Sequence, residues 1–430
     1  MHIGFVSTRL AGTDGVSLET GKWATIFRRL GHRVFYCAGE LDPDGPAGML
    51  VPKMHFTHPE VQWIYTHAFG TETPAPDLYD RIQAVAEELK EHLLRFLNAF
   101  AIDVLVVENA FAIPMNIPLG VALRDVVETT RIPTIGHHHD FYWERERFRV
   151  HCIPDILDTA FPPDAPNICH VTISTPAHRS LKERRGLDSE IIPNIFDFTR
   201  AAPGLSAFSR DLRTALGLTD AHLFILQPTR VIRRKGIELS IELVRRLREP
   251  QHRRRLLDKE PVLVITHRAG DEGVDYLLEL EEKARTEGVP LIYAATRFGP
   301  RPRLEGTQKI YSLWDAYVHA DFVTYPSRYE GFGNALLESI YFRLPLLVNR
   351  YSVYVTDIAP LGFDLIEIDG QITDEAVEAS IEAIVDPVRR RRMVEYNYYL
   401  AMHHFSYEAI TPKLQRLLAM CLNGRAEPGN

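Results

Sequence analysis

The chain has 430 residues, of which 45% are hydrophobic, and a chain of this length and composition can bury two cores of ordinary domain size. Its formal net charge of −8 gives no overall attraction to nucleic acid, which would need a local basic patch. The densest basic run, residues 389–392, lies in a helical pattern, and we interpret it as a solvated helix face. Two domains without a nucleic-acid partner are therefore expected.

The first half of the chain alternates strand and helix patterns. A buried strand pattern at 3–7 precedes a loop, a helix with Trp23, Ile26 and Phe27 on one face, and a strand at 33–38. This βαβ opening predicts a parallel sheet with right-handed crossovers. The series continues with a helix at 78–100, a strand at 104–107, a helix at 117–127, strands at 132–136 and 169–173, and a helix at 177–185.

A second series follows residues 199–209, where Ala, Pro, Gly and Ser are mixed as in a linker. Its strands are predicted at 223–227, 262–266, 291–294, 321–325 and 346–348, and its helices at 236–247, 272–287, 311–319, 334–342 and from 374 onward. The sequence thus predicts an α/β fold of two Rossmann-like, doubly wound domains that face a central cleft. Their predicted limits are 1–198 and 210–405, and 406–430 would form a C-terminal helix that could cross back to the first domain.

A strand-to-helix turn at residues 325–338 carries two glycines and two carboxylates. Gly331 and Gly333 would let backbone approach a ligand, and the N–H groups and dipole of the following helix favour an anion such as a phosphate. Glu330 stands at the turn, and Glu338 follows about two helical turns later. The turn predicts a ligand site at the carboxyl end of a parallel strand.

Four cations lie in a second strand-to-helix turn, at residues 227–236. Arg230 and Lys235 could both bind a diphosphate there, one as a forked donor and the other as a point charge. Arg233 and Arg234 are interpreted as exposed. A solvated basic loop explains this segment equally well by itself, but its place on the same sheet edge as the Glu-Gly-Phe-Gly turn favours the ligand site.

Three histidines and an aspartate end a predicted strand in the first half of the chain. Alternation places His137 and His139 on one face of the strand and His138 on the other. Adjacent histidines on a strand diverge, and no thiolate or spaced histidine completes a zinc set, so a metal site is disfavoured. His139 and Asp140 are predicted to contact a substrate, and a hydrogen-bonded core position is the alternative for His137 or His138.

Two further stretches are candidate acceptor contacts. The loop at 12–17 contains Gly12, Asp14 and Gly15, which match half of a dinucleotide-binding fingerprint. A tight turn that keeps the first helix near the sheet is the alternative. The stretch at 141–147, which includes Tyr142, combines aromatic stacking surface with charges and would suit a sugar, whereas a salt-bridged helix start is the alternative.

The sequence also gives an expectation for the cellular compartment of the protein. Residues 1–7 lack the basic region and long apolar segment of a signal peptide, and no later run reaches the length of a membrane-spanning helix. Cys37, Cys152, Cys169 and Cys421 are scattered, without the close pairs typical of zinc or redox motifs. We expect a cytoplasmic, soluble protein with reduced thiols and no integral membrane segment, and a homo-oligomer is compatible with the sequence.

Taken together, these segments resemble the retaining glycosyltransferases of family 4, which have the two-Rossmann-domain GT-B fold. The most specific match is the spacing of Glu330 and Glu338, with seven residues between them, inside the turn described above. Supporting matches are Arg230 with Lys235, His139 with Asp140, Ser174, and the segment 192–197.

The resemblance implies that the second domain binds a nucleotide sugar and the first domain binds the acceptor. It implies that Arg230 and Lys235 hold the diphosphate and that Glu338 binds the ribose hydroxyls. The candidate catalytic residues are Glu330, His139 and Asp140, and the remaining implied donor contacts are Gly331, Phe332, Gly333, Asn334 and Ala335. Retention is expected through attack on the same face of the sugar, with the leaving phosphate taking the acceptor proton.

The stretch at 137–145 is similar to that of a subgroup making mannosylated glucosylglycerate-type solutes. This similarity implies GDP-mannose as the favoured donor, UDP-glucose as the alternative, and a small anionic glycoside as acceptor. The candidate acceptor contacts are Arg9, Gly12, Asp14, Gly15, Lys22 and Tyr142. No tightly bound cofactor is expected, and a divalent metal is neither required nor excluded.

Other functions stay open at this point. One is transfer to a lipid or polysaccharide acceptor, although glutamates alternate with Arg145, Arg147 and Arg149 and would weaken attraction to anionic lipid. Another is an inactive nucleotide-sugar-binding scaffold, against which the intact donor residues argue. An epimerase or phosphorylase is disfavoured because neither a pyridoxal phosphate lysine nor an epimerase acid pair is evident. Donor base selectivity is expected from the segment after Leu291, including Thr296 and Arg297.

Overall fold

Parallel sheets flanked by helices make up the computed structural model, which describes residues 1–12, 14–269 and 273–423. The chain divides into a first unit, Met1–Ile195 together with the C-terminal segment from Tyr407, and a second unit, Phe196–Ser406. Each unit contains one large parallel sheet. The predicted α/β fold class is therefore confirmed.

Strands and helices alternate along the first unit. They are β1 (His2–Val6), α1 (Gly15–Arg29), β2 (Arg33–Ala38), β3 (Gly48–Leu50), α2 (Pro59–Ala68), α3 (Leu78–Ala99), β4 (Val104–Glu108), α4 (Ile117–Thr130), β5 (Thr134–His138), α5 (Pro154–Ala160), β6 (Ile168–Thr172), α6 (Thr175–Arg185) and β7 (Glu190–Ile191), with 3-10 turns at Pro52–Met54, Tyr142–Glu144 and Glu146–Phe148.

The second unit repeats this alternation, and the last helix returns to the first unit. The elements are α7 (Leu212–Ala215), β8 (His222–Gln227), α8 (Ile237–Leu247), α9 (Pro250–Arg255), β9 (Glu260–Ile265), α10 (Asp275–Thr286), β10 (Leu291–Tyr293), β11 (Phe298–Gly299), β12 (Arg303–Glu305), β13 (Gln308–Ser312), α11 (Leu313–His319), β14 (Phe322–Tyr325), α12 (Asn334–Tyr341), β15 (Leu346–Asn349), β16 (Ile366–Ile368), α13 (Asp374–Val385), α14 (Pro387–Phe405) and α15 (Tyr407–Leu422), with 3-10 turns at Arg233–Lys235, Ala295–Arg297 and Ala359–Leu361 and a π turn at Tyr354–Ile358.

The sheet of the first unit has the strand order β3-β2-β1-β4-β5-β6-β7 within the described residues. Helices cover both faces of the sheet, and β1, β2 and β4 are accordingly almost continuous apolar runs. Along β4, Val104 and Val106 pack with α1 and α15, whereas Leu105 and Val107 pack with α3 and α4 on the other face. The chain order of the strands reverses between β1 and β4, and ligands bind parallel α/β sheets at the carboxyl ends of such strands.

The sheet of the second unit has the order β10-β9-β8-β14-β15-β16 within the described residues. Here the chain order reverses between β8 and β14, which pair in parallel through Phe322 with Ile225 and Val323 with Leu226. The loops that follow β8 and β14 therefore emerge side by side at one sheet edge. Both of these loops carry motifs that the sequence analysis singled out.

Several elements of the structure were not predicted from the sequence, among them β3, β7, α2, α5 and α9. The small sheet of β11, β13 and β12 was not predicted, and β13 extends into the predicted helix at 311–319. That helix begins only at Leu313 because Ser312 caps it: Ser312 Oγ accepts from the Asp315 N–H at 3.1 Å, and the Asp315 carboxylate accepts from the Ser312 N–H at 2.8 Å. Residues 141–148 form 3-10 turns rather than the start of an α-helix.

Some predicted limits lie outside the described residues, namely the helix start at Glu272 and the chain beyond 423. Within the described ranges, the helices all fall short of the combined length and hydrophobicity that crossing a lipid bilayer requires.

Candidate active site

Two loops meet at the carboxyl edge of the second unit's sheet, because β8 and β14 are neighbours there. The Arg328 N–H donates to the Arg234 carbonyl at 2.8 Å, and Arg234 Nη1 donates to the Tyr329 carbonyl at 2.9 Å. Gly236 has φ +59°, and a Cβ there would lie 2.5 Å from the Pro326 carbonyl oxygen. The close approach of the two loops therefore depends on glycine at position 236.

A buried ion pair joins these loops, in which Lys235 Nζ contacts Glu330 Oε1. Lys235 is 7% exposed and Glu330 6%, and Arg234 Nη1 lies 3.2 Å from Glu330 Oε2. Burial alone would raise the pKa of Glu330, but the charges of Lys235 and Arg234 outweigh it and lower the pKa to about 2. Burial lowers the pKa of Lys235 to about 8, against the opposing effect of Glu330. The interpretation of Arg234 as exposed was wrong, because its guanidinium binds this carboxylate.

The turn after Glu330 requires glycine at position 333. Gly333 has φ +127°, and a Cβ there would lie 2.6 Å from the Tyr351 hydroxyl oxygen, so glycine is required by both backbone and space. The Phe332 ring is buried against Phe405, with 5.3 Å between centroids, and the Tyr351 hydroxyl donates to the Phe332 carbonyl at 2.7 Å. Phe332 therefore supports the turn through its side chain. Asn334, the first residue of α12, and Ala335 follow and are half-buried.

The remaining predicted donor residues lie on the same two segments. Glu338 is half-buried on α12, and the Tyr317 hydroxyl donates to its Oε2 at 2.6 Å. Arg230 is exposed on the loop after β8. The charge of Arg230 further lowers the pKa of Lys235, after burial and Arg234, which indicates that the three cations are electrostatically coupled.

In the first unit, one buried carboxylate contacts two histidines at the carboxyl ends of β4 and β5. Glu108 is fully buried, and its Oε2 lies 2.9 Å from His137 Nδ1 and 3.4 Å from His139 Nε2. His137 also stacks on Trp23 of α1, with 4.1 Å between ring centroids. His138 points to the other face, where its Nε2 lies 2.9 Å from His170 Nδ1 in the core. The alternation predicted from the sequence is therefore present.

The charges within this cluster shift the pKa values of Glu108 and His139. Burial alone would raise the pKa of Glu108, but His137 and His139 outweigh burial and lower it to about 2. Burial alone would lower the pKa of His139, but the hydrogen bond and charge of Glu108 raise it above its ordinary value. The cluster therefore favours a charged carboxylate and a proton on His139.

Asn109 connects this cluster to the next residues. Its φ is +59°, a region in which asparagine is enriched. Asn109 Oδ1 accepts from the His139 N–H at 3.0 Å, and its Nδ2 donates to Asp140 Oδ1 at 3.2 Å. Arg145 Nε donates to Asp140 Oδ2 at 2.6 Å. Both oxygens of Asp140 are thus held by neighbouring side chains.

The predicted acceptor contacts in the first loop include an ion pair, since Arg9 Nη2 lies 3.1 Å from Asp14 Oδ2. Asp14 also caps α1, because its Oδ1 accepts from two backbone N–H groups of the first turn. Gly15 is the first residue of α1, and Gly12 has φ +80°. Thr13 lies outside the described residues.

Lys22 and Tyr142 have different surroundings. Lys22 Nζ lies 2.9 Å from Glu19 Oε2 and donates to the Ile195 carbonyl at 2.6 Å. Glu19 in turn accepts from the Ile195 N–H at 3.1 Å. Tyr142 is half-buried in a 3-10 turn, with its ring perpendicular to that of Trp143. The structure thus brings together Arg9 with Asp14 and His139 with Asp140, and it places Lys22 of α1 beside the carbonyl of Ile195.

Comparison with known proteins assigns the family. The profile described as "Glycosyl transferases group 1" matches residues 209–399. The chain is 33% identical to mannosylglucosylglycerate synthase of Thermotoga maritima over 447 residues, covering 97% of this chain and 99% of that protein. The chain belongs to the group 1 glycosyltransferases. A relative of the same name from Petrotoga mobilis is 33% identical over 86% of each chain. This glycosyltransferase is a hexosyltransferase, so the predicted family and enzyme class are confirmed.

Solved structures agree with the fold of the glycosyltransferase. Anabaena HepE in complex with UDP and glucose has a TM-score of 0.64 at 14% identity, and the match covers 97% of this chain and 99% of that one. Sucrose-phosphate synthase from Thermosynechococcus elongatus has a TM-score of 0.64 at 15% identity, covering 98% and 99%. At these identities the likeness shows the fold alone, and the predicted GT-B fold is confirmed.

Several residues of the glycosyltransferase were missed by sequence reasoning. Glu108 and Asn109 directly follow the apolar run of β4, and this position at a carboxyl strand end was the signal that could have identified them.

His267 follows β9, the neighbour of β8. Burial and the charges of Lys235 and Arg230 lower its pKa to about 4, so His267 is neutral beside these cations.

One group in the described part of the glycosyltransferase has ligand atoms spaced for a metal ion, namely Glu108, His137 and His139, whose atoms lie within 4.8 Å of one another. Two histidines and a carboxylate are a donor set that zinc or iron accepts. The same three side chains already form hydrogen bonds, with Glu108 Oε2 accepting from both rings. Hydrogen bonding therefore accounts for the arrangement by itself.

Proposed function

We propose that this glycosyltransferase moves mannose from GDP-mannose to a glucosylglycerate-type acceptor with retention at the anomeric carbon. The observation that carries the proposal is that 33% identity to a protein named mannosylglucosylglycerate synthase extends over 97% of the chain. The identity therefore includes the first unit, to which we assign the acceptor, as well as the second, to which we assign the donor.

In the second unit, the proposed donor contacts are the charged groups of the two joined loops. Arg230 and Lys235 bind the diphosphate, and the N-terminus of α12 adds backbone N–H groups and a favourable dipole. Glu330, held by Lys235 and Arg234, accepts hydrogen bonds from sugar hydroxyls through its remaining lone pairs. The Tyr317 hydroxyl fixes the carboxylate of Glu338, which binds the ribose hydroxyls.

These contacts address the difficult step, which is departure of a nucleoside diphosphate from the anomeric carbon. Negative charge grows on the leaving phosphate as its bond to the sugar breaks, and fixed cations stabilise that charge without reorganising. The carboxylates near the acceptor side are engaged: Asp140 with Arg145 and Asn109, and Glu108 with two histidines. We therefore assign the acceptor proton to the leaving phosphate, with attack on the same face of the sugar.

For the acceptor, we assign Arg9 to a carboxylate. Its side chain is 34% exposed and its partner Asp14 is 31% exposed, so an acceptor carboxylate can take the place of Asp14. Gly12, Gly15 and Tyr142 complete the proposed acceptor contacts. Lys22 is tied to Glu19 and to the Ile195 carbonyl, so we assign it a supporting role at α1.

A donor screen tests the proposal. GDP-mannose at about 100 times its Kd should raise the free energy of unfolding by about 2.7 kcal/mol, because it binds the folded chain and not the unfolded chain. Thermal unfolding measures this stabilisation in the presence of GDP-mannose, UDP-glucose, GDP, UDP or GMP. GMP is the control because it lacks the diphosphate. NMR of the product formed with glucosylglycerate should show an α-mannosyl linkage. Transfer from UDP-glucose alone would contradict the assigned donor, and no stabilisation by any nucleotide sugar or diphosphate would contradict the function.

The pH dependence of nucleotide binding tests the role of Lys235. Its pKa of about 8 means that the free protein loses this positive charge as pH rises through about 8, and binding of a diphosphate needs the charged form. The affinity for GDP should therefore be constant below this pH and fall about tenfold per pH unit above it. Calorimetry with wild type and Lys235→Arg measures the effect, because arginine keeps its charge. Equal slopes in both proteins would contradict the assignment.

A further inference from the structure

Glu108 and Asn109 form a pair of adjacent side chains that control two candidate catalytic residues. Glu108 is fully buried at the end of β4, and one of its oxygens accepts from both His137 Nδ1 and His139 Nε2. Asn109 then binds the His139 N–H and the Asp140 carboxylate with the two ends of its amide. The pair therefore reaches the ring of His139, its backbone and the next side chain.

The pair is itself fixed in place. Ser7 Oγ donates to the Glu108 carbonyl at 3.0 Å, which ties β4 to the end of β1 at the point where the strand order reverses. The Asn109 N–H donates to the His137 carbonyl at 2.9 Å, and the His137 ring is stacked on Trp23. Buried groups with this many partners hold one geometry.

The hydrogen bonds also specify proton positions. A carboxylate oxygen can only accept, so both histidine nitrogens that face Glu108 carry protons. This leaves His139 with a proton on Nε2, whatever its second nitrogen binds. Asn109 has a fixed orientation for the same reason, because its oxygen faces an N–H group and its nitrogen faces a carboxylate.

We propose that Glu108 and Asn109 are positioning residues for transfer, and that they act through His139 and Asp140 by fixing the tautomer of the histidine and the direction of both side chains. This proposal rests on the function proposed above and on the expectation from the family resemblance that His139 and Asp140 act at the reacting sugar. A misplaced group near a reacting atom lowers the rate of the chemical step more than it lowers substrate binding.

Glu108→Leu tests the first half of the pair. Both histidine rings face the same oxygen, Oε2, which a glutamine oxygen could replace, whereas leucine offers neither ring an acceptor. The proton positions of both rings are then no longer fixed by residue 108. We expect kcat for mannosyl transfer to fall about 10- to 100-fold, with KM for GDP-mannose within about 3-fold of wild type. A change confined to KM, or an unchanged kcat, would contradict the proposal.

Two variants separate the side chain of Asn109 from its backbone conformation. Asn109→Gly keeps the positive φ without the amide, and Asn109→Asp keeps the acceptor for the His139 N–H but places a carboxylate against Asp140. Both should lower kcat about 10-fold or more, since both remove the hydrogen bond to Asp140. Wild-type kcat in Asn109→Gly would show that only the backbone matters and would overturn the role of the side chain.

The matched control is Asn167→Ala. Asn167 directly precedes β6, and its side-chain amide donates to the Val127 and Ile132 carbonyls at 3.0 and 2.8 Å. These contacts lie at the amino end of β5, away from His139. This variant should lower the Tm and leave kcat unchanged. If its kcat falls as far as that of Glu108→Leu, loss of packing explains both effects and the proposal fails.

A substrate-free measurement separates this proposal from the proposed function. Two-bond 1H–15N spectra of histidine-labelled protein report which ring nitrogens carry protons, and His139→Asn assigns the signal of His139. We expect a protonated Nε2 in wild type and a changed tautomer in Glu108→Leu, which offers no acceptor, whether or not mannose is the transferred sugar. An unprotonated Nε2 in wild type would overturn the proposal. One equivalent of bound zinc in wild type that is lost in Glu108→Leu would also overturn it, in favour of a metal site.

Discussion

Lys235→Ala is expected to lower kcat/KM for transfer by about 10²- to 10³-fold, because it removes a cation assigned to the leaving diphosphate. After the same change, the buried carboxylate of Glu330 keeps its contact with Arg234 but loses the buried ammonium group. Removing one partner of a buried ion pair destabilises a protein by about 3–5 kcal/mol. Lys235 therefore differs from a surface lysine in affecting both activity and stability.

Arg233→Ala is the matched control for this variant. Arg233 lies two positions before Lys235 on the same loop, but its guanidinium binds Glu279 and 64% of its side chain is exposed. Exposed ion pairs contribute about 1 kcal/mol or less, so we expect activity and Tm close to wild type. Steady-state kinetics and thermal unfolding of the two variants measure the difference. Equal losses in both would show that the basic loop acts as a whole and not through Lys235.

Glu330→Gln is expected to lower kcat by about 10²-fold or more while the fold is retained, since glutamine has the same shape but no charge. The cations Lys235, Arg234 and Arg230 would then repel one another in the empty site. The variant should consequently be destabilised without nucleotide, and GDP should restore more stability to it than to wild type. This larger gain distinguishes a lost carboxylate from a general packing defect.

A double-mutant cycle tests whether the two residues act together. The double variant Lys235→Ala with Glu330→Gln removes the whole ion pair, so its loss of stability should be smaller than the sum of the two single losses. Unfolding in urea measures the free energies, and transfer kinetics run in parallel. Additive stability losses would contradict the buried ion pair, and near-normal turnover in Glu330→Gln would contradict the site.

The fold could be predicted from the sequence because most central strands are apolar runs separated by amphipathic helices. The limits of β2 and of the helix at 78–99 follow directly from these patterns. Short edge elements escaped prediction, as β3 and β7 contain three and two residues and carry almost no periodic signal. The small sheet around β13 escaped for a different reason, since it depends on pairing with β11 and β12.

Candidate site residues could be predicted from the sequence where they lie close together in the chain. Glu330, Gly331, Gly333 and Glu338 lie in one turn and helix, so a single pattern marks them. The partner of Glu330 could not be read this way, because Lys235 is 95 positions away and reaches it only through the pairing of β8 with β14. Glu108 likewise meets His137 and His139 only because β4 and β5 are neighbours. The cleft between domains and the roles of these residues stay predictions.

The return of α15 to the first unit has a consequence for biosynthesis. Ile410, Leu414 and Leu417 of this helix share a core with Phe5 and Trp23, which are made some 400 residues earlier. A growing chain therefore completes residues 196–406 before the sheet face of the first unit can be covered. The unit synthesised first therefore finishes folding only after α15 has been made, and until then the apolar surface that α15 covers is a target for chaperones.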